Sequence, residues 1–236
     1  MAQKKVNAVI HSQEKLAEGI YSMWLDAPEM AKAAVPGQFI AVYTNDQSKL
    51  LPRPISICEA DKENGRLRIV YRIAGAGTKE FSAYKEGDTL DIMGPLGNGF
   101  PLKKKKAFLI GGGIGIPPML ELAKNLDCEK TAVIGYRDKE TFLADELRKY
   151  ADVVIATEDG SVGTKGNVID AIRAEKLTAD IIYACGPTPM LKALKTYAME
   201  NGIECYISLE EKMACGIGAC LGCVCHSKDI DEHSNV

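Results

Sequence analysis

The chain lacks any apolar run long enough to cross a bilayer. Its opening, Met1-Ala2-Gln3-Lys4-Lys5, leads into alternating residues rather than an apolar signal region. The expectation is a soluble, cytosolic protein. Surplus positive charge is also missing: 29 Lys and Arg stand against 32 Asp and Glu, for a formal net charge of −3. That balance argues against nucleic acid as a main partner, because phosphate binding needs concentrated positive charge. The one basic run, Lys103 to Lys106, reads as a solvated linker. No internal repeat and no low-complexity segment is present. Histidines number three, and no paired Cys/His motif offers the two imidazoles of a Rieske centre. A c-type haem site needs C-x-x-C-H, which Cys223-Val224-Cys225-His226 misses by one residue. His226 and His233 read as solvated tail residues.

Cysteine, by contrast, is concentrated. Half of the eight cysteines fall between Cys215 and Cys225, and Cys215, Cys220 and Cys223 are spaced C-x4-C-x2-C. That is the plant-type spacing for thiolate ligation of a [2Fe–2S] cluster, whose fourth cysteine lies further along. The residues between are mostly Gly and Ala, as a loop wrapped closely around a small inorganic core requires. Zinc is a rival, but it prefers two separated ligand pairs and only one group exists here. Disulfides are another, but they suit secreted chains. In a reducing compartment such clustering means metal or redox work, and the cluster is the better reading.

At 236 residues the chain can hold one large or two medium domains. Residues 1–102 read as β-rich, with short runs at Val6–Ile10, Tyr21–Leu25, Gln38–Tyr43, Ile55–Cys58, Arg66–Arg72 and Thr89–Met93. Gly, Pro and Asn/Asp turns separate them, and one helical segment, near Thr78–Lys85, interrupts them. The interval suggests a small antiparallel barrel or sandwich. From Ala107 strands alternate with helices: Ala107–Ile110 then a helix to Asn125, Thr131–Gly135 then Lys139–Tyr150, Val153–Thr157 then Gly166–Glu175. Ile181–Cys185 then precedes a helix over Pro189–Asn201, and Glu204–Leu209 closes the series. Met190, Leu191, Leu194, Tyr197 and Ala198 give the last helix one apolar face. Apolar strands between amphipathic helices predict a parallel sheet covered on both sides. The expected architecture is a barrel (1–102), a doubly wound parallel α/β domain (103–209) and a cysteine-rich segment (210–236).

Gly111-Gly112-Gly113-Ile114-Gly115-Ile116-Pro117-Pro118 lies where the first sheet strand turns into its helix. Glycines there let a backbone approach a pyrophosphate, although the third glycine of the Rossmann fingerprint is absent. Cys185-Gly186-Pro187-Thr188-Pro189-Met190 leaves another strand, so both loops can border one crevice at the carboxyl ends of the strands. Cys185 is read equally well as a small residue in a crowded strand end and as a cofactor contact. Glu158 and Asp159 follow the third strand. If they border a ribose, their charge favours NAD over NADP, though acidic loop residues also serve simply as solvated groups. In the barrel, Arg53-Pro54-Ile55-Ser56 offers a fork for a diphosphate and a hydroxyl for a polar ring atom. Val70-Tyr71-Arg72 offers an aromatic ring and a second cation. Gly75-Ala76-Gly77-Thr78 opens a helix that Thr78 would cap, with its N-terminus toward phosphate.

Taken together, R-P-x-S, Y-R…G-x-G-T, G-G-G-x-G-x-P-P, C-G-P-x-x-M and C-G-x-G-x-C-x-x-C resemble the ferredoxin–NADP reductase superfamily. Within it the chain is similar to the electron-transfer subunits of NAD-dependent (B-type) dihydroorotate dehydrogenases of pyrimidine biosynthesis. The resemblance implies FAD in the barrel, contacted through Arg53, Pro54, Ile55, Ser56, Val70, Tyr71, Arg72, Gly77 and Thr78. It implies NAD over the α/β domain, framed by Gly111, Gly112, Gly113, Gly115, Cys185, Gly186 and Pro187, and a [2Fe–2S] cluster on Cys215, Cys220 and Cys223. It further implies an FMN-containing catalytic partner in a two-plus-two heterotetramer. Electrons would cross from that partner through cluster and FAD to NAD+, with no acid or base from this chain. The family's fourth cluster cysteine falls beyond Val236, so the expectation is a C-terminally shortened sequence that holds its cluster poorly, with Cys225 as a fallback ligand. The flavin and [2Fe–2S] subunits of bifurcating ferredoxin:NADP oxidoreductases or sulfide dehydrogenases are a related alternative, and a zinc-binding interaction module is a non-redox one.

Overall fold

The computed structural model describes residues 5–46, 48–211, 213–220, 222–225 and 234–235. They group into two compact units, one of 1–99 with 210–236 and one of 100–209.

In the first unit, β1 (Lys5–Ala17), β2 (Ile20–Asp26), β3 (Phe39–Val42), β4 (Arg53–Asp61), β5 (Arg66–Arg72) and β6 (Thr89–Leu96) close an antiparallel barrel in the order β1-β2-β5-β4-β3-β6. Alternation dictates what fills it. Leu67, Ile69 and Tyr71 of β5 point inward with Ile55 and Ile57 of β4, and they meet Ile10, Met23, Leu25, Ile40, Leu90 and Ile92. Each such aliphatic side chain contributes about 1.5–3 kcal/mol by leaving water. Two helices join this core, α1 (Pro28–Ala33) through Met30 and Ala31 and α2 (Ala76–Phe81) through Phe81. The sequence reading contained only α2, two residues late at its start. Six residues without a capping side chain give α1 no periodic signal, and Pro28 at its first turn is what opens it.

The second unit is a six-stranded parallel sheet. It comprises β7 (Ala107–Gly112), β8 (Lys130–Tyr136), β9 (Asp152–Thr157), β10 (Thr164–Lys165), β11 (Ile181–Cys185) and β12 (Glu204–Ser208), in the order β10-β9-β8-β7-β11-β12. The helices are α3 (Pro117–Asn125), α4 (Ala144–Leu147), α5 (Val168–Ala174) and α6 (Thr188–Asn201). All of Ile181–Cys185 is buried, as expected of a strand covered on both faces. On α6, Leu191, Leu194 and Ala198 are buried and Met190 and Tyr197 pack beside them, so the apolar face lies where its spacing put it. Gly202 ends that helix at φ +65°, with the Ile203 N–H closing on the Ala198 carbonyl at 2.9 Å.

One helix is much shorter than its pattern implied. Of Lys139–Tyr150, only Ala144–Leu147 is helical. Upstream, the Glu140 N–H bonds the Asp138 carboxylate (2.9 Å), the Tyr136 hydroxyl donates to the Phe142 carbonyl (2.6 Å) and Leu143 takes φ +64°. These local bonds hold the segment as a turn. The lysine run is also absorbed locally. Lys103 and Lys105 pair with Glu204, Lys104 with Asp127 and Lys106 with Glu129. Among the described residues no helix is long and apolar enough to cross a membrane.

Candidate functional site

Three separate constellations carry the chemistry-bearing residues. The first is in the barrel. Arg53 begins β4, and its guanidinium lies directly on the backbone of Gly77, where an added Cβ would come within 2.1 Å of Nε and 2.4 Å of Cζ. Only glycine permits this approach. One arm of the guanidinium donates to the Leu51 carbonyl. Thr78 caps α2 from inside the helix, while the N-cap residue is Gly75. It is the third helical residue, and its hydroxyl reaches back to the N–H groups of Ala74 (2.8 Å) and Gly75 (3.2 Å), fixing the turn before the helix. Ser56 is half-buried and Pro54 exposed on β4, whereas Ile55 faces the core. Val70 is buried and Arg72 exposed. The ring of Tyr71 is in the barrel core, stacked on Tyr21 (5.9 Å) and edge-on to Phe81 (6.0 Å), with its hydroxyl donating to Gln13 at 2.8 Å. Burial pushes that hydroxyl's pKa upward, so it is a packing group and not a surface ring.

Two residues with no sequence signal complete this region. Gln13 donates to the carbonyls of Phe81 (3.2 Å) and Tyr84 (2.8 Å) at the far end of α2. Glu80, on α2, accepts from the N–H groups of Asn45 (2.7 Å) and Asp46 (3.3 Å), from Lys49 Nζ (2.6 Å) and from the Tyr84 hydroxyl (2.6 Å). Burial works to raise its pKa, but these bonds outweigh it and hold the carboxyl below its ordinary value.

The second constellation is at the carboxyl ends of β7 and β11, adjacent strands paired at Gly111↔Cys185. From β7 the chain winds outward through β8, β9 and β10, while β11 and β12 lie on the other side. This is the point where strand order reverses, the usual ligand crevice of an open α/β sheet. The two loops meet backbone to backbone. A Cβ on Gly115 would fall 2.2 Å from the Cys185 carbonyl oxygen, and one on Gly112 would fall 2.7 Å from Met190 Sδ and 3.0 Å from Pro187 Cδ. Gly186 packs its bare α-carbon on Gly112 and Met190. Gly111 and Gly112 end β7, Gly113–Gly115 form a 3-10 turn, and α3 starts with two prolines. These glycines let the two loops pack backbone to backbone, and of the four in the β7 loop only Gly113 has open space beside its α-carbon. The Cys185 side chain is buried, which fits the crowded strand end. Beyond β9, the Asp159 carboxylate accepts from the Ser161 N–H (2.9 Å) and serves its own turn, while Glu158 is exposed.

The third is the cysteine loop. Gly216 (φ +70°) and Gly218 (φ +76°) use the left-handed conformation open to glycine, and Gly216 faces Leu96 and Ala41 of the barrel. The Ile217 N–H points at Cys215 Sγ (3.5 Å). That bond, the Cys220 N–H, the Cys220 side chain and the Ala219 N–H bring the Cys215 thiol down to about 6, against burial. Cys220 is exposed and Cys223 buried. Among the described residues no three ligating side chains yet converge. The donor chemistry fits a thiolate-held iron cluster, with soft sulfur and backbone N–H groups aimed at it. The backbone of Cys225 lies in a two-residue strand, β13 (Val224–Cys225), paired with β14 (Ser234–Asn235). Its thiol, His226 and His233 lie outside the described residues.

Comparison with known proteins gives these sites their context. Residues 7–100 match the oxidoreductase FAD-binding domain family, and residues 210–236 match the iron-sulfur cluster binding domain of dihydroorotate dehydrogenase B. The dihydroorotate dehydrogenase B (NAD(+)) electron transfer subunit of Streptococcus mutans is 44% identical over 98% of this chain and 92% of its own. That of Bacillus velezensis is 41% identical over 97% and 92%. Among solved structures, an NADH-dependent reduced ferredoxin–NADP oxidoreductase studied for flavin-based electron bifurcation aligns with a TM-score of 0.85. It is 32% identical, over 95% of this chain and 83% of the other. A ferredoxin NADP+ reductase from Neisseria gonorrhoeae shares the fold, with a TM-score of 0.71 at 17% identity, over 87% and 99%. With relatives above 40% identical along nearly the whole chain, the chain belongs to the family of dihydroorotate dehydrogenase B (NAD+) electron transfer subunits.

Proposed function

We propose that this chain passes electrons from a dihydroorotate-oxidising catalytic subunit to NAD+ in pyrimidine biosynthesis. Bound to it, a [2Fe–2S] cluster supplies one-electron exchange, and FAD and NAD supply hydride exchange. The chain's residues bind and orient. Arg53, held against Gly77, meets a diphosphate with a planar cation that stays charged at any working pH. Ser56 presents a hydroxyl beside it on β4. Pro54, Ile55, Val70, Tyr71 and Arg72 shape the strands of that site, Tyr71 from inside, and Thr78 holds the turn that brings Gly77 to Arg53. Gly111, Gly112, Gly113, Gly115, Cys185, Gly186 and Pro187 form the nicotinamide floor. Glu158, whose carboxylate is exposed beyond β9, is the group to repel an additional ribose phosphate. Cys215, Cys220 and Cys223 ligate iron, with Cys225 in reserve. No residue of this chain needs to move a proton.

The division of labour follows the chain: flavin on 1–102, nicotinamide on 103–209, iron on 210–236. The partner is an FMN-containing catalytic subunit in a two-plus-two heterotetramer, and the compartment is the cytoplasm, in keeping with free thiols at all seven described cysteines. The observation that carries the reading is the cysteine loop. The family it matches is named for this enzyme, and it sits on a chain whose barrel places an arginine fork against bare backbone. The test is reconstitution. Purified with its catalytic partner, the protein should reduce NAD+ on addition of dihydroorotate. The isolated chain should bleach its flavin with NADH and pass electrons to ferricyanide. Flavin that NADH leaves oxidised would defeat the hydride step.

A second reading rests on the likeness to the bifurcating oxidoreductase, whose partner would be a larger flavin and iron–sulfur protein. The protein that copurifies separates the two.

A further inference from the structure

We propose that Glu80 is a positioning residue for the flavin site, acting through Arg53, and that it sets how tightly the barrel holds FAD. The inference rests on the assignment of Arg53 to the FAD diphosphate. Glu80 is not itself placed to meet an anion. It would repel one, and its carboxylate is already taken up by four donors. What those donors are is informative. Three belong to the segment that runs from β3 to Arg53: the main-chain N–H groups of Asn45 and Asp46, and the Lys49 ammonium. Its other described ties to the barrel are the Tyr43 N–H on the Asp91 carbonyl (2.9 Å) and the Asn45 side chain on the Thr89 carbonyl (3.4 Å), both before Asp46. Leu50 and Leu51, near the start of the strand, are 83% and 56% exposed, so neither leucine anchors the end of the loop.

Its own internal bonds make it a compact unit rather than a tether. Asp46 accepts from the Ser48 N–H (2.9 Å) and hydroxyl (2.7 Å) and pairs with Lys49 (3.1 Å). Thr44 donates weakly to the carbonyls of Asp46 and Lys49 (3.3 Å each). The unit as a whole is then joined to α2 at Glu80, whose side chain is only 17% exposed. A partly sheltered carboxylate with charge-assisted bonds is a strong joint.

Geometry makes the joint specific. Glu80 lies three residues after Gly77 on the same short helix. One turn of α2 therefore grips the Arg53 segment twice: at Gly77 by the guanidinium resting on bare backbone, and at Glu80 by the loop that leads into β4. The Gln13 side chain fixes the far end of that helix to β1. Releasing Glu80 leaves the guanidinium held by the Gly77 backbone and by the Leu51 carbonyl, which itself belongs to the loosened loop. The fork then samples more orientations before binding and loses more freedom on meeting a diphosphate.

The experiment is a double-mutant cycle read by FAD titration of deflavinated protein, following flavin fluorescence and the visible spectrum of the bound form. Glu80→Gln should raise the FAD dissociation constant about tenfold. Lys49→Met, which cuts the joint from the loop side, should do the same. On an Arg53→Ala background, Glu80→Gln should add less than about twofold, because the coupling runs through the arginine. A general loss of packing would weaken both backgrounds equally. Unchanged FAD affinity in Lys49→Met, or a full tenfold further loss in the double variant, would overturn the proposal. If Glu80→Gln does not fold, the Lys49→Met cycle decides alone. Arg53→Ala binding FAD as tightly as the parent would instead strike the flavin-site assignment itself.

Discussion

The guanidinium of Arg53 rests on the α-carbon of Gly77, with no room between them for a methyl group. Two residues on separate elements thereby constrain one another, and the proposed diphosphate contact depends on both.

Gly77→Ala is therefore a test of Arg53 that leaves Arg53 in place. The new methyl must displace the guanidinium, and the FAD dissociation constant should rise roughly ten- to a hundredfold, the worth of one charge-assisted contact. Titration of deflavinated protein measures it. Binding as in the parent protein would show that the fork has another productive position.

Gly115→Ala probes the α/β unit. Its Cβ would stand 2.2 Å from the Cys185 carbonyl, a backbone atom that no rotamer change can move. The two loops must separate, at a cost of about 3 kcal/mol. The variant should melt earlier in thermal unfolding and bleach its flavin more slowly with NADH, while FAD content stays at the parent level.

Glu204 carries the clearest pH signature. Lys103 first, then Lys105 and Tyr206, hold its carboxyl down to about 2 from an ordinary 4.5. A depressed carboxylate contributes stability above its unfolded pKa and loses it as pH falls through the folded value. The melting-temperature gap between the parent and Glu204→Gln should be constant from pH 5 to 8 and close between pH 4.5 and 2. The Glu204 side chain is 31% exposed and its lysine partners reach solvent, so added salt should narrow the gap throughout. A gap that persists at pH 2 would refute this assignment.

Cys220→Ser separates iron from flavin. An alcohol is a poor replacement for a thiolate at iron. The purified variant should lose its iron and the absorbance that goes with it, yet keep stoichiometric FAD. Iron and flavin counts on one sample settle it.

How much of this could be read beforehand depended on how local each signal is. Arg66–Arg72 and Ile181–Cys185 have the same ends in sequence and structure, because a run that opens by alternating arginine with apolar residues after a turn, and a continuous apolar run, leave few other choices. The glycine and cysteine loops were legible because their spacing is itself the chemistry. The shortened α4 was not, since an Asp138 turn and a left-handed Leu143 overrule an adequate helical pattern. Thr78 caps its helix from the third position and not from the first, a shift that depends on where Gly75 places the turn. Glu80 and Gln13 were invisible for a different reason. Glu80 meets Asn45 across 35 positions and Gln13 meets Tyr84 across 71, and no window of sequence contains both partners.

Gly216 seats the iron-binding turn on Leu96 and Ala41, side chains of barrel strands β6 and β3. Sulfur ligands near the end of the chain thus share a foundation with residues near its beginning. Heat or denaturant that opens the barrel should strip the metal in the same cooperative event. Bleaching of the brown chromophore would then serve as a built-in gauge of whether the first hundred residues are still folded.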